Sequence, residues 1–304
     1  MMQKIIGHCE ILELVGSGGL GEVYRARYLK NGHTVALKRL HDKYQNNSKL
    51  LGLFHKEILI HAQVSHKHCV KFIEADLTPP NAHIVTEFID GTNCHYLIRK
   101  VGAIPPLIAC CLALDLLQGL DHIHCLDMVH SDLTPANILL EITGRTVLAD
   151  FGLSCIPDVE DYEGMTVGTP GYQAPERLKH EPMTPLADIY NTGIILHELL
   201  TGERLFPNAN SKDIQSRMKS VPSKLPATGN PKVDDYLFKI LKTALHLNPN
   251  KRFQSARDFM FAIYQILKVY DIRFTRRAIL QWMSDIRMTQ VPPAEPKQHI
   301  YIRK

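Results

Sequence analysis

The sequence predicts an α+β protein, a small β-rich part followed by a larger, mainly helical one. Two observations carry this expectation. Short runs rich in β-branched and aromatic residues, punctuated by glycine, fill the chain up to residue 88; apolar residues then recur at helical spacing from about residue 93. Size agrees with it, because 304 residues at 45% hydrophobic and 22% charged can bury two cores.

Strands are expected over residues 9–15, 22–28, 34–40, 70–75 and 83–88, with one helical stretch over 48–64 among them. The boundary falls in "EFIDGT", residues 87–92, where a strand passes into a turn. Helices are expected over 106–125, 186–200, 233–246 and 255–269. The richest apolar stretch, 104–117, contains two prolines and Asp115, which suits a buried helix better than a membrane span. No secretory leader is expected at the amino terminus.

Seven cysteines without paired CxxC spacing argue against a disulfide framework or a zinc site and for a reducing, cytoplasmic setting. The His66/His68 and His122/His124 pairs lack a matching acidic or cysteine cluster, so packed or solvated histidines are the better reading. Residues 271–304 hold seven Lys/Arg against three Asp/Glu, and the rest of the chain balances at 28 against 28. A neutral body with a basic tail does not fit nucleic acid as the main partner. In that tail Phe274, Ala278, Trp282 and Ile286, with Ile279 and Met283 beside them, form an apolar stripe among Arg273, Arg276, Arg277 and Arg287. The readings are docking on the protein's own large lobe, on a partner, or on a membrane surface, the first being preferred. From Val291, "VPPAEPK" reads as an extended tail.

The first chemical motif is "GSGGLGEV", residues 16–23, between two expected strands. A dinucleotide fingerprint needs a helix directly after its glycines, and the alternating "EVYRARY" offers a strand instead. The loop is therefore expected to close over phosphates as a flap. In "VALK", Ala36 and Lys38 share one strand face, where a small side chain can admit a flat base and the ammonium can reach its phosphates. Glu57 falls on the apolar stripe of the first helix with Phe54, Ile58 and His61, so it needs a cation opposite, and Lys38 is the natural one. In "HSDLTPAN", residues 130–137, Asp132 and Asn137 lie five apart around a proline, which fits a loop and neither a helix face nor a strand. Asp150 ends the apolar run Val147–Ala149 before a glycine. With Asn137 it makes two oxygen donors suited to magnesium, leaving Asp132 to orient an acceptor hydroxyl and take its proton.

Taken in order, Gly16-x-Gly18-x-x-Gly21-x-Val23, Lys38, Glu57, His130-x-Asp132 with Asn137, Asp150-Phe151-Gly152 and Ala174-Pro175-Glu176 resemble the eukaryotic-type (Hanks-type) serine/threonine protein kinases, in a compact bacterial-like form. The resemblance covers roughly residues 9–268. It implies a bilobal fold: an extension at 1–8, a small lobe over about 9–88 with one regulatory helix, a hinge at about 87–92, a large lobe over about 93–268, and a tail at 269–304.

The implied activity is transfer of the γ-phosphoryl of ATP to Ser/Thr hydroxyls of protein substrates, with Mg2+ (or Mn2+) as cofactor; a dimer is left open. The implied catalytic set is Asp132, Lys38, Glu57, Asn137 and Thr169 in "GTPGYQAPE". Val15, Gly16, Ser17, Gly18, Gly19, Leu20, Gly21, Val23, Ala36 and Lys38 would surround the nucleotide. Thr86 would be the gatekeeper, Glu87 and Ile89 would offer hinge backbone, and Leu139 would pack beneath the base. Asn137 and Asp150 would hold the metal. Asp188 and Gly193 match the family's central buried helix, and Glu176 with Arg252 a structural ion pair.

Two positions depart from the pattern. Ser131 stands where an arginine usually gathers an activation-loop phosphate, so little dependence on phosphorylation of 152–173 is expected, with Thr166 kept as a plausible site. Thr134 stands where a lysine usually neutralises the transferring group. That keeps open a pseudokinase or nucleotide-binding scaffold; a small-molecule phosphotransferase would not be expected to carry "GTPGYQAPE". His61 replaces a normally apolar residue and is read as a tolerated, hydrogen-bonded histidine.

Overall fold

The computed structural model describes residues 4–18, 20–152, 169, 171–179, 181–206, 225, 227–273 and 275–286. Gly19, Cys155, Thr166, Phe274, Arg287 and the tail from Val291 lie outside them.

The small lobe is one antiparallel sheet built from β1 (Ile5–Ile6), β2 (Cys9–Ser17), β3 (Gly21–Tyr28), β4 (Thr34–Leu40), β5 (Phe72–Asp76) and β6 (His83–Glu87), ordered β1-β2-β3-β4-β6-β5. Period-two alternation gives the sheet two faces. Val35 and Leu37 of β4 join Ile6, Cys9, Ala26 and Val85 in one small core. Leu40 joins Ile84 and Phe54 of helix α1 (Ser48–His61) in another. Asn47 caps α1 by accepting from Leu50 N. Within the expected extension at residues 1–8, β1 pairs with β2 and Ile6 is buried.

After β6 the chain enters the large lobe through β7 (Gly91–Asn93), which pairs with β8 (Ile138–Glu141) and through it β9 (Thr146–Leu148). Helices α2 (Cys94–Val101), α3 (Pro106–His124), α4 (Pro175–Leu178), α5 (Pro185–Thr201), α6 (Pro231–Ala244), α7 (Ala256–Val269) and α8 (Thr275–Asp285), with three short 3-10 turns along the chain, complete the described elements. Apolar composition makes α3 long enough to cross a membrane, but residues 108–117 are all buried within the core. Residues 187–200 of α5 are buried on every side, the mark of a central helix. Gly193 allows this packing, because a Cβ there would lie 3.0 Å from Ala244 and Leu245. Ile279, Trp282 and Met283 of α8 belong to the same core, so its apolar face lies against the large lobe. Arg276 Nε donates to Thr143 O at 2.7 Å, between β8 and β9.

One buried ion pair in this lobe is closely matched. The Arg252 guanidinium is bidentate on Glu176 at 2.6 and 2.7 Å and also donates to His246 O and Leu186 O. Its planar face covers the Tyr190 ring. Removing one partner would leave the other charge buried and uncompensated. Arg252→Met is therefore expected to lower the unfolding free energy by about 3–5 kcal/mol in denaturant titration; a loss below about 1 kcal/mol would show the pair to be dispensable.

Candidate active site between the lobes

The site is assembled from five separate segments. Lys38 projects from β4, and its Nζ donates to Glu57 Oε1 of α1 at 2.6 Å and to Asp150 Oδ1 at 3.2 Å. Burial alone would lower the lysine's pKa. The Asp150 and Glu57 carboxylates outweigh that and hold it above its ordinary value, so the ammonium stays charged. Glu57 is 5% exposed, so the cation opposite it is what makes its position tenable.

Asp150 follows β9 with a left-handed backbone, φ 67°, and Phe151 after it is fully buried. Phe151 packs on His61 at 4.6 Å between ring centroids and on His130 at 5.4 Å. His61 Nε2 donates to Val70 O at 2.7 Å. Asn137 Nδ2 donates to Asp132 O at 2.7 Å, which fixes the two ends of that amide. Ala149 N donates to Asn137 O at 2.9 Å and couples the Asp132–Asn137 loop to the Asp150 segment. Asp132 Oδ1 accepts from Thr169 Oγ1 at 2.9 Å and Thr169 N at 3.1 Å.

The loop carrying Asp132 is shaped from below by α5. Asp188, fully buried, accepts from His130 N at 2.8 Å, Ser131 N at 3.0 Å and His124 Nε2 at 2.9 Å. These bonds stabilise Ser131 at φ 72°. Ser131 Oγ donates to Val129 O, and Thr134 is buried at the start of the turn that carries Asn137.

Of the residues expected around a nucleotide, those described are partly exposed, Gly21 excepted. Gly16 pairs with Val23 and Ser17 with Glu22 in the glycine hairpin, with Val15 and Leu20 at its sides. Gly21 is buried, while Gly18, Ala36, Thr86, Ile89 and Leu139 are partly exposed. Ala36 faces Thr86 across the β4–β6 ladder. Leu139 is open between buried Ile138 and Leu140, as alternation on β8 requires. Glu87 N donates to Lys71 O, and the Glu87 carboxylate accepts from Arg145 Nη2 at 2.8 Å.

Sequence reasoning missed three groups that shape this cleft. Those groups are His41 beside the hairpin, His124 under Asp188, and Arg145 behind the hinge, which also binds Glu141. His41 follows β4 directly, which is a weak signal; the other two contacts span 64 and 58 positions and left none. Among the described residues no group of three or more His, Cys, Asp or Glu is placed to hold a metal ion.

The protein kinase domain family matches residues 9–264. The chain belongs to the protein kinase family. Similar proteins include a probable serine/threonine-protein kinase of Clostridium perfringens, 28% identical over 273 residues, covering 88% of this chain and 40% of that protein. Serine/threonine-protein kinase PkaA of Streptomyces coelicolor is 30% identical over 259 residues, covering 79% and 46%. PknA of Corynebacterium glutamicum is 28% identical over 273 residues, covering 86% and 57%. The kinase chain described here thus spans about half the length of the curated relatives it matches.

Burial holds the His61 imidazole near pKa 4, below its ordinary value; Lys38 adds to the shift and the Val70 carbonyl opposes it. An unfolded histidine binds its proton near pH 6.5, so between pH 6.5 and 4 the unfolded chain gains a proton that the folded kinase refuses. Stability should fall as pH falls through that window, by up to about 3 kcal/mol from this residue. Burial also holds His68 near 4, which acts in the same sense, whereas Asp115, raised to about 6, acts in the opposite one. Denaturation midpoints measured from pH 7 to 4 should show a shallower slope in His61→Leu than in the wild type; equal slopes would refute the assignment.

Proposed function

We propose that this kinase domain transfers the γ-phosphoryl group of ATP to serine or threonine hydroxyls of protein substrates, using magnesium. The observation that carries this reading is the Lys38–Glu57–Asp150 arrangement, reached from three elements of both lobes. Asp150 and Asn137 supply hard oxygen donors, and the Asn137 amide is oriented by its bond to Asp132 O, so the donor set suits a small divalent cation. Held there, the cation would neutralise charge developing on the phosphoryl group that ATP would supply.

The protein's own residues then have separate tasks. Lys38 binds the α/β-phosphates, and Glu57 keeps its ammonium directed into the cleft. The glycine hairpin covers the phosphates, Ala36 and Leu139 enclose the base, Thr86 limits the depth of its pocket, and the backbone of Glu87 and Ile89 binds its edge. Asp132 orients the acceptor hydroxyl and takes its proton. Thr169 positions Asp132 through two hydrogen bonds to one carboxylate oxygen. "GTPGYQAPE" and the names of the relatives favour Ser/Thr of proteins as acceptor. We assign the domain to the cytoplasmic side, where ATP and reduced thiols coexist.

Radiolabel transfer from ATP to a generic protein acceptor tests this. Asp132→Asn should lose at least about a hundredfold in kcat while binding magnesium–ATP within about twofold of the wild type. Asp150→Asn should lose magnesium-dependent nucleotide binding itself. Undiminished transfer in both variants would overturn the reading.

The conformation at Ser131 rests on Asp188 rather than on a cation at position 131. We infer that activity depends little on a phosphate in residues 152–173. Thr166→Ala should keep more than half of wild-type turnover; near-total loss would defeat this.

A further inference from the structure

The glycine hairpin is anchored by a residue outside its own two strands. His41, the first residue beyond β4, makes two hydrogen bonds to the hairpin tip. Its backbone N–H donates to Leu20 O at 2.9 Å, and its ring Nε2 bonds Gly18 O at 2.8 Å. A carbonyl oxygen only accepts, so Nε2 carries the hydrogen. A third bond, Gly18 N to Gly21 O at 2.8 Å, closes the turn.

The close approach depends on Gly21. A Cβ there would lie 2.2 Å from Arg39 O, so only glycine lets the start of β3 press onto the end of β4, beside His41. The imidazole also has a firm base. His41 O accepts from Tyr44 N at 2.8 Å, and the Tyr44 ring meets the imidazole edge-on at 6.2 Å. Gln45, buried, donates to Leu40 O at 2.6 Å and accepts from Ala82 N at 2.9 Å. The corner after β4 is thereby fastened to the start of β6, a different strand from either arm of the hairpin.

Resting on the reading of this hairpin as the cover over nucleotide phosphates, we propose that His41 is a positioning residue that latches the hairpin tip in its phosphate-receiving place through Nε2–H and Gly18 O. A glycine-rich tip loses much conformational freedom when it orders, and a latch formed in advance removes part of that loss from the binding step. With both carbonyls bonded to His41, neither is available to turn toward an anionic ligand. One such hydrogen bond corresponds to roughly a twofold to twelvefold change in affinity.

The test compares wild type, His41→Ala and His41→Gln, the last restoring an amide N–H donor at similar reach. Calorimetric Kd values are measured for magnesium–ATP and for adenosine, which has no phosphates, with melting temperatures taken for each protein. His41→Ala should bind magnesium–ATP about threefold to tenfold more weakly, with adenosine binding unchanged. KM for ATP should rise in parallel while KM for the acceptor stays put, and His41→Gln should lie within about twofold of wild type. An unchanged ATP affinity in His41→Ala, an equal loss for adenosine, or a glutamine variant as weak as alanine would overturn the latch. Should alanine fail to fold, His41→Met, similar in size and lacking a donor, makes the same comparison with glutamine. Hydrogen exchange of the Gly18 amide separates the two layers of the argument. If wild type binds no magnesium–ATP, the phosphate-site reading fails; faster exchange in His41→Ala but not in His41→Gln would still uphold the latch, and equal exchange would sink it.

Discussion

The Lys38 ammonium, held between the Glu57 and Asp150 carboxylates, is the interaction on which the geometry of the cleft depends. Its three members come from β4, from α1 and from the segment after β9, so the contact exists only when the small-lobe helix and the large-lobe loop are both in place. A carboxylate as buried as Glu57 would be costly without its cation. The attraction therefore fixes the rotation of α1, and with it the His61 face that packs on Phe151. Phe151 in turn is buried one residue beyond Asp150, whose left-handed backbone lets one side chain enter the core and its neighbour the cleft.

Asp188 does for the Asp132 loop what Glu57 does for Lys38. It is a fully buried carboxylate on the central helix, and its oxygens are taken up by two backbone amides and the His124 ring. Arg252 and Glu176 repeat the pattern beside the same end of α5, where the guanidinium also binds the His246, Leu186 and Leu247 carbonyls. In each case a buried charge on a rigid element is matched by donors or acceptors from a loop. The loop inherits the precision of the helix, which is what chemistry on loops requires.

Bracing of the hinge is separate from this. Arg145 binds Glu87 at the end of β6 and Glu141 at the end of β8, and Arg276 of α8 bonds the turn between β8 and β9. The terminal helix α8 thus contributes apolar area to the large-lobe core on one side and a polar tie near the hinge on the other. It carries two of the tail's seven basic residues, Arg276 and Arg277, but the packing is that of an ordinary core helix. Snorkelling of long basic side chains at its edge is compatible with both.

Local pattern alone determined much of this protein. Runs rich in β-branched and aromatic residues between glycines placed β2 to β6, and helical spacing placed α1, α3, α5, α6 and α7, because these longer elements bury enough residues for their composition and spacing to show it. Glycine spacing, the Ala36–Lys38 alternation and the inward place of Glu57 were legible because each states a requirement of its own segment. Shorter elements were not. β1 has two residues and α2 eight, too few for a period to declare itself, and both are decided by what they pack against. Only the tertiary structure gave Asp188 its histidine and Glu87 its arginine, since a hydrogen bond between residues dozens of positions apart leaves no mark on the spacing of either; the hairpin's anchor on His41 left only the weak signal of its place after β4. Periodicity reports which side of a segment avoids water; it carries no record of which distant polar atom comes to meet it.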